Sequence, residues 1–550
     1  MRKIAIFIFL TFIIPNYYCS SIEEKKYSFI SLDQINDRYN VYDNYDNSRD
    51  LIALYFNMSE DIFLRVDFYD LSYGAELGYL NVYFTFDFKE GGQEWLPDFV
   101  NTKSSSLWDI SIAIYDTEHY EIYNAKFERK NESIKKVEFN AKIDKLEVIV
   151  DKKVFVDESL DWNKEIKIQA YTTIDSGKIT DTIPQEYPWE NGWFNNTLSS
   201  SAKYEKKAKL GIVHHANQFI KNVSDFVNDS NGMGYVRVLD IHEKYNIPVN
   251  LHISGTLAEA IQWFKPEFNN RVRKLVEKGI AHMIGGYYAE YIPKYLPKEV
   301  NDWSLAYGKW YNSYYYGDNY TPIAWLPERR IWDGYEYELN GYKGVIIDTE
   351  DAFVDYAEPF GYKNEHKVYE EDNGLKILFI SNRGKGGAPY NIQDQIFYNY
   401  DNGLSISLRE LFLSLALSDD KEQYVLYMDD WEKACGNIPD WGGPEATYAY
   451  ENSIEWIANH KWIEVEPIEE FLDFKSEGEI DVNEAIYFWA SQGFGSLKNY
   501  DAWYYDPLNE IKNGSSYFNY VPKDTKMKLG DYKTEGTLIY ETWKLLKQIP

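Results

Sequence analysis

The spacing of apolar residues changes once along this chain of 550 residues, and that change limits the possible folds more than any other feature. Over residues 51–173 apolar and polar residues alternate, as at Ile62, Leu64 and Val66. Successive strand residues point to opposite faces, so a period of two is typical of strands with one buried face. Many such strands separated by polar turns predict an antiparallel β-sandwich over residues 21–180.

Beyond residue 206, short apolar runs alternate with longer stretches that have helical spacing. The runs of strand length are 210–215, 248–254, 281–286, 323–327, 344–348, 375–381 and 424–430. The stretches with helical spacing include 233–246, 256–278, 296–316 and 404–417. This alternation predicts an α/β domain over residues 207–475, whose parallel sheet is either doubly wound or closed into a (β/α)7-type barrel.

Three segments flank these two predicted domains. Residues 181–206 are rich in Pro, Ser and Asn-Gly and are predicted to be a linker, while residues 476–550 are predicted to form a mixed or helical C-terminal extension. Residues 1–20 have the charged, apolar and polar order of a secretory signal peptide. The apolar run 4–14 is too short to cross a bilayer as a permanent helix. We therefore expect export to the periplasm or the medium and no transmembrane helix.

Cys19 adds an alternative to simple secretion. It stands where a lipoprotein signal places the lipidated cysteine, but the residues before it form a poor lipobox. A lipid anchor at Cys19 is therefore the less favoured prediction.

Composition bears on the partners of the chain. Its 88 acidic and 57 basic residues give a net charge of -31, which would repel the phosphates of a nucleic acid. We therefore expect no nucleic-acid partner. Aromatic residues make up 17% of the chain and suit sugar rings, although a general bias towards Asn, Ile, Lys and Tyr is the favoured explanation for them. The oligomeric state is not predicted.

Polar residues follow the predicted parallel strands at their C-terminal ends, where α/β folds build their sites. These residues are His214, His215, Glu328, Asp348 and Asp430. Adjacent strand residues point to opposite faces, so at most one of the two histidines is expected to contact a substrate.

Two of these carboxylates have suggestive neighbours. Glu328 precedes Arg329, whose guanidinium would favour the ionised form that a nucleophile needs; the alternative is a salt bridge at the strand end. Asp430 has Asp429 and Glu432 nearby, and crowded carboxylates raise one pKa as a general acid requires. A metal-binding or helix-capping acid is the alternative for Asp430. Two carboxylates at one rim are what glycoside hydrolysis requires.

Metal and nucleotide chemistry have weaker signals. None of the eight histidines forms an HExxH or HxxxH pair, so no metal and no cofactor are predicted. The chain also has neither a GxxxxGK[ST] loop nor a GxSxG elbow, which leaves nucleotide-binding and serine-hydrolase functions unsupported.

Five motifs in order resemble those of glycoside hydrolase family 57, over about residues 205–475. They are LGIVHHANQF, GIAHMIGGYYAEYIP, AWLPERRIW, GVIIDTEDAF and YMDDWEKACG. The family comprises α-glucan amylases, 4-α-glucanotransferases, amylopullulanases and branching enzymes on an incomplete seven-stranded barrel. The resemblance implies that Glu328 is the nucleophile and Asp430 the acid/base, with Trp325 and Arg329 also matching.

The chain departs from the family pattern at three places. The H-x-H-Q-P opening reads HHANQ, so the resemblance does not decide between His214 and His215. Ala289 replaces an acid or histidine, with Glu290 one position later, and Trp431 replaces a small residue beside the acid/base. The residues expected to contact the sugar are His214, His215, Glu290, Trp325, Arg329, Asp348 and Trp431.

The predicted function is an exported, retaining glycoside hydrolase or 4-α-glucanotransferase acting on α-linked oligosaccharides or polysaccharides. A polysaccharide deacetylase with an Asp-His-His metal site on a related barrel is one alternative. A surface glycan-binding protein without catalysis is another. The N-terminal sandwich weakly resembles modules of glucodextranases, and both a carbohydrate-binding and a purely structural role are open for it.

Overall fold

A computed structural model describes residues 27–480 of the chain with gaps. The gaps are 36, 38–46, 72–80, 98–102, 131–132, 162–163, 174–178, 185–197, 218–225, 228–232, 292, 294–295, 318–319, 328–330, 333, 348–363, 382–402 and 437–442. The predicted leader, Cys19, Glu328, Arg329, Asp348 and most of the predicted C-terminal extension lie outside the described residues. No helix in the described part is both long enough and apolar enough to span a membrane.

The first part of the chain forms two antiparallel sheets and a short helix. The elements are β1 (Ser28–Leu32), β2 (Leu51–Met58), β3 (Asp61–Phe68), β4 (Asn81–Asp87), β5 (Gln93–Trp95), β6 (Lys103–Trp108), β7 (Ile110–Ile114), β8 (Tyr120–Asn124), β9 (Ile134–Asn140), β10 (Lys145–Asp151), α1 (Lys153–Asp157), β11 (Lys167–Thr173), β12 (Ile179–Ile183) and β13 (Leu198–Ser199). One sheet has the order β1-β2-β3-β10-β9 and the other β12-β11-β4-β7-β8, with β13 beside β11. Strands β5 and β6 pair separately.

The two antiparallel sheets share one apolar core. Alternate residues of β3, such as Leu64 and Val66, are in the same cluster of buried side chains as Phe84 and Phe86 of β4. Removing each such side chain from water is worth about 1.5 to 3 kcal/mol, which explains why the period of two is so regular here. The structure thus has antiparallel strands where this period predicts them.

The prediction of a linker over residues 181–206 is wrong at residues 181–183 and 198–199, which lie in strands. Strand β12 continues to Ile183, and β13 pairs with β11 at Leu198. Thr180, Asp181 and Thr182 have the composition of a turn, yet they are buried in β12, where Asp181 and Thr182 pair with β11. Because these side chains are polar, the spacing of apolar residues does not predict this strand.

The second part of the chain forms a mainly parallel sheet with helices. Its strands are β14 (Ala208–Ala216), β15 (Val249–Ile253), β16 (Ala281–Gly286), β17 (Tyr320–Trp325), β18 (Gly344–Ile347), β19 (Tyr369–Glu370), β20 (Lys376–Phe379), β21 (Tyr424–Asp430) and β22 (Ile463–Val465). Its helices are α2 (Gly234–Tyr245), α3 (Gly255–Phe264), α4 (Pro266–Glu277), α5 (Lys298–Tyr316), α6 (Tyr335–Glu338), α7 (Ile406–Leu417), α8 (Trp431–Ala434) and α9 (Gly443–Asn459). A 3-10 helix spans Ile468–Asp473. Each of the seven predicted apolar runs overlaps one of these strands.

The order of this sheet is β19-β20-β18-β17-β16-β15-β14-β21, with β22 beside β14 and only β19 antiparallel. Ser381, just after β20, donates its backbone N–H to the carbonyl of Leu426 in β21 at 2.9 Å. The N–H of Leu426 donates to the hydroxyl of Ser381 at 3.0 Å. The sheet therefore curls until its two outer parallel strands are in contact, around an apolar interior.

The predicted helical stretch 256–278 is two helices rather than one. The hydroxyl of Ser254 accepts the N–H of Leu257 at 3.3 Å and caps the start of α3. Helix α3 ends at Phe264, and α4 begins at Pro266. Proline lacks an N–H and fits the first position of a helix, so it starts a new helix more readily than it continues one.

A buried ion pair joins the antiparallel sheets to the second part of the chain. Arg409 of α7 is 1% exposed and places Nη1 3.0 Å from Oδ2 of Asp144, between β9 and β10. The same carboxylate accepts the indole N–H of Trp456 at 2.7 Å and the backbone N–H of Leu71 at 2.7 Å. Burial raises the pKa of Asp144 to about 7, while Arg409 acts in the opposite direction. The two parts of the chain are thus held by charges that have no access to water.

Helix α5 lies directly on the backbone of β16 at Gly308. A Cβ atom at position 308 would lie 2.2 Å from the carbonyl oxygen of Gly286. We therefore expect Gly308→Ala to lower the free energy of unfolding by about 1 to 3 kcal/mol, because α5 must move outward. Urea denaturation measures the change. Ala306→Ser, at an exposed position of the same helix, is the control and should stay within about 0.5 kcal/mol of wild type. Equal stability of both variants would contradict the close approach.

Candidate active site

Three polar residues lie side by side at the C-terminal ends of neighbouring strands. In the parallel register, His215 of β14 is paired with Asp430 of β21 on one side and with His252 of β15 on the other. Paired residues of neighbouring strands point to the same face of a sheet. Val213, two residues before His215, belongs to the interior cluster, as does Met428, two residues before Asp430. The three side chains therefore face the interior of the curled sheet at its C-terminal end.

The two histidines of this row form a hydrogen-bonded pair. Their Nδ1 atoms are 2.8 Å apart, so one ring donates and the other accepts. His252 is fully buried and His215 nearly so. Burial and, second, the charge of His215 hold the pKa of His252 well below its usual range. His252 is consequently neutral at pH 7.

Trp325, at the end of β17, supports the histidine pair. Its ring stacks on that of His215 at a centroid distance of 4.4 Å and an angle of 27°. A Cβ atom at Gly286 would lie 2.8 Å from the carbonyl oxygen of Trp325 and 3.1 Å from Nε2 of His252. Only glycine at the end of β16 therefore lets these groups approach. Trp325 is 2% exposed, so in this structure its ring orients His215 and offers little surface to a sugar.

Glu290, in the segment after β16, reaches the same place. Its Oε1 lies 3.8 Å from Nδ1 of His252. One ligand atom each from His215, His252 and Glu290 lie within 4.8 Å of one another. Two imidazole nitrogens and one carboxylate oxygen are a donor set that zinc accepts in catalytic sites. The arrangement can therefore hold a divalent metal, although no metal is predicted from the sequence.

The sequence analysis missed His252. Zinc motifs are recognised by short spacing on one helix, whereas these three residues come from β14, β15 and the segment after β16. The available signal was a histidine inside the apolar run 248–254 near its end.

His214 lies on the other face of β14. Its Nε2 is 2.8 Å from the hydroxyl of Tyr450 in α9, and Nε2 of His242 in α2 is 2.6 Å from the same hydroxyl. Burial holds the pKa of His214 well below its usual range and lowers that of His242 to about 4. His214 has no exposed surface, so the predicted sugar contact at His214 is wrong.

Trp431 is also directed away from the site. Its ring is fully buried and stacks on Tyr235 of α2 at 4.3 Å. The prediction that Trp431 contacts the sugar is therefore wrong. An aromatic ring gains more by packing between the sheet and α2 than by remaining in water.

The acidic neighbours of Asp430 also face elsewhere. Asp429 is in register with His214 and lies 3.0 Å from Nζ of Lys433. Glu432 accepts the hydroxyl of Tyr235 at 2.9 Å. Asp430 itself is partly exposed at the end of β21. The carboxylates predicted to crowd Asp430 therefore do not lie beside it at the strand end. Adjacent residues of a strand point to opposite faces of the sheet.

Glu328 and Arg329 follow Trp325 by three and four positions along the chain and, like Asp348, lie outside the described residues. A cavity of about 580 Å³ lies at the opposite end, where β17, β18 and β20 begin, and is lined there by Pro322, Lys343 and Lys376. This cavity is not part of the row of strand-end residues.

The hydroxyl of Tyr450 holds two buried histidines behind the site. We expect Tyr450→Phe to reduce the free energy of unfolding by about 1 to 3 kcal/mol, because two buried imidazole nitrogens lose their partner. Chemical denaturation at pH 7 measures this loss. Tyr448→Phe, on an exposed position of the same helix, is the matched control and should change little. Equal effects of the two substitutions would contradict the role of Tyr450.

Comparisons with known proteins support part of this interpretation. The sequence matches no family model. It is 25% identical over 256 residues to an alpha-amylase of Pyrococcus horikoshii, which covers 39% of this chain and 38% of the relative. It is 24% identical over 234 residues to alpha-amylase 1 of Dictyoglomus thermophilum, which covers 41% of this chain and 31% of the relative. The chain thus spans less than two fifths of the length of these curated relatives.

Two solved structures are similar over about half of the chain. The 4-alpha-glucanotransferase of Thermococcus litoralis has a TM-score of 0.44 and 18% identity, covering 57% of this chain and 48% of that one. A GH57-type branching enzyme of Pyrococcus horikoshii has a TM-score of 0.38 and 14% identity, covering 51% and 73%. The two curated relatives are both alpha-amylases, and the similarity to them supports the relationship to glycoside hydrolase family 57 that the five motifs predict.

Proposed function

We propose that this relative of glycoside hydrolase family 57 is an exported, retaining enzyme that cleaves or transfers α-linked glucans. The observation that carries the proposal is the row formed by Asp430, His215 and His252 at the C-terminal end of the parallel sheet. It puts the aspartate of the last motif beside the histidine of the first motif, on the interior face. That face is where a parallel α/β fold binds its substrate.

The mechanism uses two carboxylates in succession. Glu328 attacks the anomeric carbon while Asp430 protonates the departing glycosidic oxygen, which gives a glycosyl-enzyme ester. Asp430 then takes a proton from the acceptor as that acceptor attacks the ester. Water as the acceptor gives hydrolysis, and a sugar hydroxyl gives transfer. The partial exposure of Asp430 suits a group that must exchange protons with both leaving group and acceptor.

The remaining groups bind and orient the sugar. His215 is the less buried member of the histidine pair and reaches a sugar hydroxyl through its ring. Fully buried His252 orients the ring of His215 through their hydrogen bond. Arg329 and Asp348 complete the proposed subsite, and Glu290 lies beside His252.

The same proposal assigns the architecture. The antiparallel sheets form a β-sandwich ahead of an incomplete (β/α)7 barrel, which begins near residue 207 and ends near residue 475. Residues 1–20 serve as the signal peptide. The sandwich binds carbohydrate or simply supports the barrel; its stable attachment through Arg409 and Asp144 favours support.

Maltoheptaose is the substrate with which to test the two carboxylates. We expect Glu328→Gln and Asp430→Asn each to lower turnover by about 10³-fold or more, because each removes an essential step. Glu277→Gln, an exposed glutamate on α4, is the control and should retain wild-type turnover. Circular dichroism confirms that the variants are folded. Substantial turnover in a folded Glu328→Gln variant would refute the nucleophile assignment.

The distribution of products separates the two reactions. Shorter chains with rising reducing ends indicate hydrolysis, whereas longer and shorter chains at constant reducing ends indicate transfer. Binding of maltoheptaose without any product would instead favour the glycan-binding alternative.

A metal-dependent polysaccharide deacetylase is the second candidate, and the cluster of His215, His252 and Glu290 is the observation that favours it. The two candidates differ in their need for a transition metal. If the enzyme is a glycosidase, 1,10-phenanthroline should leave turnover of maltoheptaose unchanged. If it is a deacetylase, an acetylated glycan should release acetate, and the chelator should abolish this release until Zn²⁺ is added. His252→Gln would then lower zinc binding measured by calorimetry.

A further inference from the structure

Helix α5 presents a row of large aromatic side chains to the solvent. The row, here called the aromatic strip, consists of Trp303, Tyr307, Trp310 and Tyr314. Trp303 is 72% exposed, and the other three side chains are each about half exposed. Successive members are three or four positions apart, which is the spacing of neighbours on one face of a helix. A contiguous exposed apolar patch marks a binding surface, whereas scattered exposed apolar residues do not.

Ring contacts hold three members of the strip in a fixed order. The ring centroids of Tyr307 and Trp310 are 5.1 Å apart, and those of Trp310 and Tyr314 are 5.0 Å apart at an angle of 13°. A helix rises about 1.5 Å per residue, so the strip from Trp303 to Tyr314 is about 16 Å long. This length accommodates several consecutive sugar rings. Side chains that are already ordered lose little conformational freedom when a ligand binds.

The strip is connected to the candidate active site through Tyr288. The ring of Tyr307 packs edge-on against that of Tyr288 at a centroid distance of 5.1 Å. The backbone N–H of Tyr288 donates to the hydroxyl of Ser304 in α5 at 3.0 Å. Tyr288 precedes Glu290 by two positions, and Glu290 lies 3.8 Å from His252. One short segment after β16 therefore contacts both the strip and the row of strand-end residues.

The chemistry of the strip suits a neutral ligand that combines flat apolar faces with hydroxyl groups. Lys309 is the only charged residue between positions 303 and 316, and its Nζ lies over the ring of Tyr342 at 4.6 Å. In a chain with a net charge of -31, this segment contains no carboxylate. Trp and Tyr also have N–H and O–H groups at their ring edges, which an aliphatic docking surface for a protein helix would lack.

We propose that the aromatic strip is a second binding site for α-glucan chains, separate from the site of bond cleavage. The identity of the polymer rests on the proposed function. The ring faces bind the apolar faces of consecutive glucose units, while the polar ring edges bind their hydroxyls. A polymer held on the strip has a high effective concentration at the neighbouring active site. The strip therefore lowers the KM for a polymeric glucan and takes no part in the reaction itself.

Native electrophoresis in gels that contain amylopectin tests this binding, because a strongly negative chain migrates well without detergent. Amylopectin should retard the wild type. Substituting both Trp303→Ala and Trp310→Ala should weaken its binding at least about tenfold, because two stacking surfaces are lost. The KM for amylopectin should rise, while turnover of maltoheptaose should stay within about twofold of wild type. Both side chains are exposed, so the variant should fold, as circular dichroism would verify.

Trp263→Ala is the matched control, since Trp263 is an equally accessible tryptophan at the end of α3 and outside the strip. It should bind amylopectin as wild type does. Trp310→Tyr preserves an aromatic face and should retain most of the binding.

The strip and the proposed function can fail separately. Equal retardation of wild type and the double variant would overturn the strip, as would a wild type that turns over maltoheptaose without being retarded by amylopectin. Loss of maltoheptaose turnover in the folded double variant would also contradict a separate site. A wild-type dimer that the double variant dissociates would show that a second copy covers the strip. Retardation that depends on Trp303 and Trp310, without turnover of any glucan, would support the strip and refute the proposed activity.

Discussion

The parallel register of β14 with β15 and β21 is the constraint on which the candidate site depends. It sets His215 opposite both His252 and Asp430, although 215 positions separate the first and last of these along the chain. A shift of one residue would turn His215 outward and His214 inward. Val213 and Met428, one layer below, fill the apolar interior and make such a shift costly. Core packing and site geometry are therefore two results of one alignment of strands.

Burial determines which titratable side chains near that row of residues are charged. His214, His242 and His252 all have pKa values held well below the usual range because burial disfavours their charged form. In the antiparallel sheets burial instead raises the pKa of Asp33 and Asp181. The same physical cause thus disfavours charged histidines beside the site and ionised aspartates in the antiparallel sheets. The net charge of the chain predicts neither the pKa values of these histidines nor those of these aspartates.

Apolar spacing predicted the strands well because each strand buries a regular set of side chains. It failed at β12, where buried Asp181 and its threonine neighbours have the composition of a turn. At the site, the alternation of side chains along a strand correctly predicted that His214 and His215 point to opposite faces. It could not predict which of them faces the interior, because that depends on the helices packed outside the sheet. His252 was overlooked because its neighbours in space are distant in sequence. Trp431 was misassigned because a motif fixes the position of a residue and not the direction of its side chain.

The ion pair between Arg409 and Asp144 also restricts how this chain can be divided. The parallel sheet and its helices, produced alone, would carry the buried guanidinium of Arg409 against Trp456 without the carboxylate of Asp144. The separated part would also expose the apolar side chains that pack in one buried cluster with Phe29, Tyr55 and Tyr69. Neither part of the chain could therefore be exchanged for an unrelated domain without exposing buried groups of the other part. A substitution on one side of this contact must be compatible with the side chains on the other side, so the two parts are expected to evolve together.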